Sequence, residues 1–386
     1  DKNRIYTLTK KINENLHFKF GIKNLYHRMI FTAAALVSER YGADLNGIKN
    51  RGYEVFRNVI RDTIQKSLED NKKQNMKLDI LMEVYIDIKM NIVENKEAIN
   101  DFIDCVIEIS DSVNSDNWNG EDVMGIFFNE FNRYKKKSES GQVFTPDHIT
   151  SLMYKILEVN ANDKILDAAC GSGAFLVKSM SNMIKEVGGI NTKEAKKIKE
   201  HSLFGIEFDR EIFALACANM MIHKDGKTNL EQLDSRDKEA SEWIKSKGIT
   251  KVLMNPPFER KYGCKKIVEN VLNSVPSGIK CAFIMPEKKM EKDKMGKLLE
   301  KHHLEAIIKL PEKLFDAGVT TSIYVFETGK KQVGEIYGCY IEDDGLERVK
   351  NQGRQDIKDK WMELENYWVD SIRKRNDTKY GTSQWI

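Results

Sequence analysis

Three short stretches of the chain hold the side chains whose types and spacing could do chemistry. The first is Asp167-Ala168-Ala169-Cys170-Gly171-Ser172-Gly173-Ala174-Phe175-Leu176, directly after the apolar run Ile165-Leu166. Gly171 and Gly173 allow a tight turn and a close backbone approach to a ligand at the carboxyl end of a strand. A lone Gly-x-Gly is a weak signal, because ordinary turns use the same residues. A strand before it and a helix after it are what the binding mechanism requires. No third glycine completes a dinucleotide fingerprint, which disfavours NAD. The second stretch is Gly205-Ile206-Glu207-Phe208-Asp209. Glu207 ends the next strand, where a carboxylate can accept from both hydroxyls of a ribose, or can simply cap the following helix. The third is Asn255-Pro256-Pro257-Phe258, after Val252-Leu253-Met254. Consecutive prolines stiffen the backbone and leave carbonyls without local donors. The Asn255 side-chain oxygen and the Pro256 carbonyl become two acceptors aimed at one point, which suits an NH2 group. Phe258 offers a face to a planar ring. The alternative is a loop that only turns the chain after a strand.

These stretches need a scaffold that ends strands side by side. The middle of the chain supplies strand-like runs at 164–167, 203–207, 251–254, 281–285, 305–310 and 321–326, several of them separated by amphipathic helical stretches. Alternating strands and helices predict an α/β domain with a mostly parallel, doubly wound sheet. All six prolines lie between Pro146 and Pro311, so both flanks are free to be helical. Over residues 1–137, apolar residues recur at three- and four-residue spacing, and five or six helices are expected. The polar run from Lys135 to Gly141 reads as a linker. The tail resumes helical spacing over 356–375, with Ile357, Trp361, Leu364 and Trp368 on one face. The division predicted is 1–139 helical, 140–329 catalytic and 330–386 a tail with one long helix.

Composition bounds the rest. The 386 residues include 62 Lys+Arg and 59 Asp+Glu, a net charge of +3, so overall charge does not announce a nucleic-acid binder. Residues 258–301 nevertheless carry a surplus of +5, including Arg260, Lys261, Lys265, Lys266, Lys288 and Lys289. That segment is either a phosphate-contacting surface or an ordinary solvated face. Six scattered cysteines with no C-x-x-C pair read as reduced thiols of a cytoplasmic protein, without a metal site. No run of about 18 apolar residues could span a membrane. The polar start, Asp1–Lys11, is unlike a secretory signal, and the missing initiator Met suggests a start inside a longer chain.

Taken together, Asp167–Leu176 and Asn255–Phe258 resemble the S-adenosylmethionine-dependent N6-adenine DNA methyltransferases. Gly141-Gln142-Val143-Phe144-Thr145-Pro146 matches a motif that leads into the catalytic domain of one branch, the modification subunits of type I restriction-modification systems. The match runs from about Ser140 to Gly329. Ala168 stands where that family often has Pro, and Leu233-Asp234-Ser235 replaces Gly-Asp-Ser. The resemblance implies a Rossmann-like methyltransferase domain after an all-α domain. It implies methyl transfer to the N6 amine of a flipped-out adenine, with Asn255, Pro256, Pro257 and Phe258 as the catalytic loop. It implies cofactor contacts from Phe144, Thr145, Pro146, Asp167, Ala169, Gly171, Ser172 and Gly173, with Glu207 on the ribose and Asp234 on the adenine. Thr145 also reads as a helix N-cap with Pro146 at the first helical position.

The 57 residues after Gly329 look too few for a base-reading domain. Double-stranded DNA, a separate specificity subunit, a restriction subunit and a second copy of the chain are therefore the expected partners. The Trp361/Trp368 face either docks such a partner or packs on its own domain. A methyltransferase acting on protein glutamine or RNA, which would pose the same two-hydrogen problem, and a non-catalytic assembly subunit are the competing readings.

Overall fold

The computed structural model describes residues 2–70, 75–91, 95–115, 121–134, 144–223, 229–258, 263–290, 292–315, 318–378 and 383–385. The expected linker, Gly141–Val143 and the basic pair Arg260 and Lys261 fall outside these residues.

Among the described residues the first unit holds six α-helices: α1 (Lys2–Glu14), α2 (Leu25–Arg40), α3 (Tyr53–Asp70), α4 (Asn75–Asp87), α5 (Lys96–Val113) and α6 (Val123–Phe131). Side-chain caps start three of them. Asn24 accepts from His27 N, Asn95 from Glu97 N and Ala98 N, and Asp122 from Met124 N. The rings of Phe20, Phe31, Phe56 and Phe102 meet at centroid distances of 5.5–6.1 Å at the centre of the bundle. α2 runs through the middle and buries even Arg28, whose guanidinium donates to Asn13 Oδ1 and to the carbonyls of Ile22, Lys23 and Phe131. A buried cation is tolerable only when its donors are satisfied in this way.

The second unit follows as α7 (Asp147–Ile156), β1 (Ile165–Asp167), α8 (Ala174–Glu186), α9 (Lys193–His201), β2 (Leu203–Ile206), α10 (Arg210–Ile222), β3 (Asn229–Glu231), α11 (Lys238–Lys245), β4 (Lys251–Met254), α12 (Cys264–Ser274), β5 (Lys280–Pro286), α13 (Lys292–Leu299), β6 (His303–Lys309), β7 (Thr321–Glu327), β8 (Tyr337–Tyr340), β9 (Glu347–Val349), β10 (Gly353–Gln355), α14 (Trp361–Lys374) and β11 (Ser383–Trp385). Nine strands form one sheet in the order β11-β8-β6-β7-β5-β4-β1-β2-β3. β3, β2, β1, β4 and β5 are parallel, β7 is antiparallel to both β5 and β6, and β8 is again parallel to β6. The sheet is thus mostly parallel, as the strand–helix alternation predicts. The chain turns from one side of β1 to the other between β2 and β4, so the crevice between β1 and β4 is the topological switch point. Both signature loops leave the sheet there.

α10 joins the two units. Every residue from Ile212 to Ile222 is buried. Ile212, Ala214, Leu215, Ala218, Met221 and Ile222 belong to the bundle core; Phe213, Ala216, Cys217 and Met220 belong to the core on one face of the sheet. A helix apolar all round is a buried helix.

The tail departs from the sequence reading. It contributes strands β8 and β11 to the main sheet and the β9–β10 hairpin, as well as a helix. That helix begins at Trp361, not Asp356, because the Asp356 carboxylate accepts from the amides of Lys360 and Trp361. Ile357 therefore lies outside the helix and is 61% exposed, whereas Trp368 is fully buried. Trp368 is part of the core beside α7, and Trp361 and Leu364 pack against that core half-buried, so this face packs on the chain's own domain. Trp368→Ala is expected to destabilise the protein by ~3–5 kcal/mol, and Ile357→Ala by less than ~0.5 kcal/mol, in urea denaturation. Equal, small effects would count against this packing.

Candidate active site

β1 ends at Asp167 and β4 at Met254, next to one another in parallel register. After β1, Gly171 (φ 55°) and Gly173 (φ 94°) take left-handed conformations that turn the chain into α8. A side chain at Gly171 would meet nothing within 4 Å, so this turn faces open space. After β4, Asn255-Pro256-Pro257-Phe258 runs along the opposite wall. The resulting cleft, about 590 Å³ of open space, is lined by Phe144, Thr145, Asp167, Ala169, Gly171, Ser172, Glu207 and Asn255–Phe258, and also by Cys170, Ala174 and Phe175. Eleven of the fourteen residues singled out from the sequence meet there. Gly173 instead starts α8, Pro146 borders a larger adjoining basin, and Asp234 lies in a side cleft.

The Asn255 amide is fixed in one orientation. Its Nδ2 donates to Thr145 Oγ1 at 2.9 Å, across 110 residues of chain. Its Oδ1 is buried and accepts from nothing. An unpartnered buried acceptor costs roughly 1–3 kcal/mol, so this arrangement is prepared for a donor from outside the chain. Thr145 consequently does not cap α7 as its sequence suggests. Pro146 stands at the cap position, and no side chain caps the helix. The Thr145 hydroxyl serves Asn255 instead.

Aromatic contacts brace both ends of this pair. Phe144 stacks on Phe128 of α6 with centroids 4.2 Å apart and planes at 18°. Phe258 packs edge-on against Phe315 at 5.4 Å and remains partly exposed.

The carboxylates on the opposite side are buried. Burial pushes Asp167 up to about 8, opposed by the Ala169 amide at 3.1 Å. Burial, followed by the charges of Asp209 and Asp167, pushes Glu207 up to about 8, opposed by the amides of Phe208 and Gly171. Two carboxyls in one cleft without a cation are held partly protonated at neutral pH, and a positively charged ligand would favour their ionised forms.

Asp234 shares its side cleft with Glu207, Phe208 and Asp209. Arg236 grips it through Nε at 2.9 Å and Nη2 at 2.6 Å, which holds its carboxyl below the usual range. Sequence reasoning passed over Phe208, a 55% exposed aromatic in that cleft. It also passed over the support of the glycine turn. Asn219 of α10 donates to the Ser172 carbonyl at 2.8 Å and to Asp122 Oδ1 at 2.7 Å. Burial pushes Asp122 up to about 6. All six cysteines are buried and reduced, and no cluster of metal-binding side chains occurs among the described residues. None of the described helices is long and apolar enough to cross a membrane.

Residues 119–277 match the family model described as N-6 DNA Methylase. This segment is similar in sequence to N-6 DNA methylase domains. The chain is 32% identical over 256 residues to the type II restriction enzyme and methyltransferase RM.BcgI of Heyndrickxia coagulans, covering 62% of this chain and 39% of that protein. It is 22% identical over 215 residues to the type I restriction enzyme EcoEI methylase subunit of Escherichia coli, covering 50% and 43%. The chain thus spans less than half the length of these two relatives. In fold it is similar to the type I restriction-modification system methyltransferase subunit from Streptococcus thermophilus, with a TM-score of 0.62 at 14% identity over 100% of this chain and 95% of that one. The α/β unit therefore has the Rossmann-like fold expected from its loops, preceded by helices.

The raised carboxyls give a pH dependence. Between about pH 4 and about pH 8, the folded protein holds protons on Asp167 and Glu207 that the unfolded chain has released. Their contribution to stability is complete below the unfolded values and is lost as pH rises through 8. The Tm of the ligand-free protein should therefore fall across this window, and less steeply in Glu207→Gln. Identical pH slopes for the two proteins in calorimetry would contradict the assignment.

Proposed function

We propose that the chain transfers the methyl group of S-adenosylmethionine to the exocyclic N6 amine of adenine in DNA. It would act as the modification subunit of a type I-like restriction-modification system. The observation that carries this reading is the Asn255 amide, with its nitrogen tied to Thr145 and its oxygen buried and unpartnered. An adenine amine has two hydrogens to place, and Asn255 Oδ1 and the Pro256 carbonyl are its two acceptors. Accepting both draws the nitrogen lone pair out of conjugation and stabilises the positive charge that grows on nitrogen. No dedicated base is required, since the proton can leave to water after the bond has formed.

The cleft fits the cofactor. The open turn at Gly171 admits a backbone-hugging ligand, Asp167 and Glu207 suit its cationic end and ribose, and Phe208 and Asp234 border a slot for its adenine. When bound, S-adenosylmethionine supplies the methyl: the N6 lone pair forms the new C–N bond while the C–S pair departs on sulfur. Phe144 and Thr145 close the cleft beside Asn255, with Pro146 next to them on the adjoining basin, and Phe258 provides the surface on which the target ring stacks. Asn255 Oδ1 is too deeply buried for a base stacked in a duplex to reach, which supports extrusion of the adenine. The word subunit in the name of the Escherichia coli relative supports a role beside other chains; in this reading they are a separate specificity subunit that makes the sequence choice, a restriction subunit and a second copy.

Asn255→Ala should reduce methyl transfer by about 10²–10³-fold while leaving cofactor affinity close to the wild-type value. Transfer of labelled methyl to adenine-containing DNA, beside calorimetric titration of the cofactor, tests this. Retained transfer would exclude the assignment. Thr145→Val frees the Asn255 amide to rotate, and a loss of kcat of about tenfold is expected, equivalent to one hydrogen bond.

A further inference from the structure

The Thr145 hydroxyl that orients Asn255 sits on a segment with little local support. Phe144–Pro146 belongs to no helix or strand. Helix α7 begins directly after it without a side-chain cap, because the hydroxyl that could have capped it is spent on Asn255. A misplacement of about 1 Å in a catalytic constellation can cost a hundredfold in rate. The place of Thr145 must therefore be set by contacts from elsewhere in the chain.

The bundle and α8 supply two of these contacts. Phe144 rests on Phe128 of α6, and Lys178 of α8 donates to Asp147 Oδ2 at 3.0 Å. The tail supplies another. His148 Nε2 meets Asp344 Oδ2 at 3.0 Å, and both residues are buried. The His148 ring also meets Trp361 of α14 edge-on, with centroids 4.9 Å apart.

Asp344 is a well-fixed anchor. Burial on its own would raise its carboxyl; the bonds from His148 and Arg354 outweigh burial and hold it well below the usual range. An ionised carboxylate only accepts, so His148 presents Nε2–H to it. Arg354 of β10 donates through Nε to Oδ2 at 2.8 Å and through Nη2 to Oδ1, and the Leu346 amide donates to Oδ1 at 3.1 Å. The hairpin that carries Arg354 is tied in turn to the bundle, where Tyr6 Oη donates to the Gln352 carbonyl at 3.0 Å. The far end of α7 is held separately. Arg373 of α14 donates to the Lys155 carbonyl at 3.0 Å, and Lys155 pairs with Glu365. Losing the His148 bond would therefore loosen the first turn of α7 without detaching the helix.

We propose that His148 and Asp344 are positioning residues for methyl transfer. Together they hold the first turn of α7, and with it the Thr145 hydroxyl, where the Asn255 amide is locked in one orientation. The inference rests on the reading of the chain as an adenine DNA methyltransferase and gives the tail a part in that reaction. Neither residue lines the cleft, so their effect passes through Thr145.

The test is a kinetic cycle on the full chain, following labelled methyl transfer to adenine-containing DNA. His148→Leu removes the donor and leaves Asp344 with Arg354 and the Leu346 amide. It should lower kcat about fivefold, within the loss expected for Thr145→Val, and leave cofactor affinity at the wild-type value. His148→Gln offers Asp344 an amide N–H and should bring kcat back to within about twofold of wild type. In a Thr145→Val background, His148→Leu should cost nothing further, because the hydroxyl it positions is gone. Arg373→Gln, which cuts a bond at the far end of α7, should leave kcat unchanged. An unchanged kcat in His148→Leu overturns the proposal. So do losses that multiply in the double variant, an equal loss in His148→Gln or Arg373→Gln, or a loss explained by weaker cofactor binding. A wild-type chain that transfers no methyl would sink the enzymatic reading, and the crystal structure of His148→Leu then decides the positioning pair by itself. An Asn255 amide turned away from Thr145 supports the pair; an intact 2.9 Å bond overturns it.

Discussion

The structure depends on one helix that has no outward face beyond its first residues, Arg210 and Glu211. α10 is buried by the bundle on one side and by the sheet on the other, and its polar residue Asn219 is spent between them. Splitting the units would expose the bundle-facing side of α10 and the bundle surface that covers it. It would also break the 2.7 Å bond from Asn219 Nδ2 to Asp122 Oδ1, a net loss of about 1 kcal/mol. The bundle is therefore not an appendage to the catalytic unit. It sets the position of Asn219, which fixes the Ser172 carbonyl and with it the turn between Gly171 and Gly173. It also supplies Phe128, on which Phe144 rests.

The cleft that results is built by leaving groups unsatisfied in a controlled way. Asn255 Oδ1 lacks a donor, and Asp167 and Glu207 lack a cation. Each is destabilising in isolation. Other polar groups of the frame are met within the chain: Arg28 meets its carbonyls, Asp344 meets His148 and Arg354, and the Ser172 carbonyl of the glycine turn meets Asn219. A site preorganised in this way spends little reorganisation when ligands arrive, which is where electrostatic catalysis gains most.

Which features could be read in the sequence follows from the range of the interactions behind them. The Gly171–Gly173 turn and the Asn-Pro-Pro-Phe loop are local: their backbone requirements are written in adjacent residues, and the flanking apolar runs place them at strand ends. The bundle was legible because helical periodicity repeats over many turns. Thr145 was misassigned because its sequence context, Thr-Pro-Asp before a helix, is that of a cap, while its partner lies 110 residues away. β3 was missed because Asn229–Glu231 is a short, half-polar edge strand. Ile357 was counted into a helix because its spacing fits; the Asp356 carboxylate, which starts the helix later, is a geometric fact that periodicity does not carry. The β9–β10 hairpin has almost no apolar pattern, since it is anchored by Tyr6, Asn129 and Asp344 and not by a core of its own.

The junction of His148 with Asp344 ties together residues 196 positions apart. During synthesis at about 5–20 residues per second, roughly ten to forty seconds separate the appearance of its two halves. Throughout that interval α7 has neither α14 beside it nor Asp344 beneath it, and β6 has no β8 along its free edge. Thr145, one turn upstream of His148, is then held only from one side. The surroundings of the cleft are thus completed by residues made long after its loops, and a nascent polypeptide carrying both signature loops has the motif before it has the site.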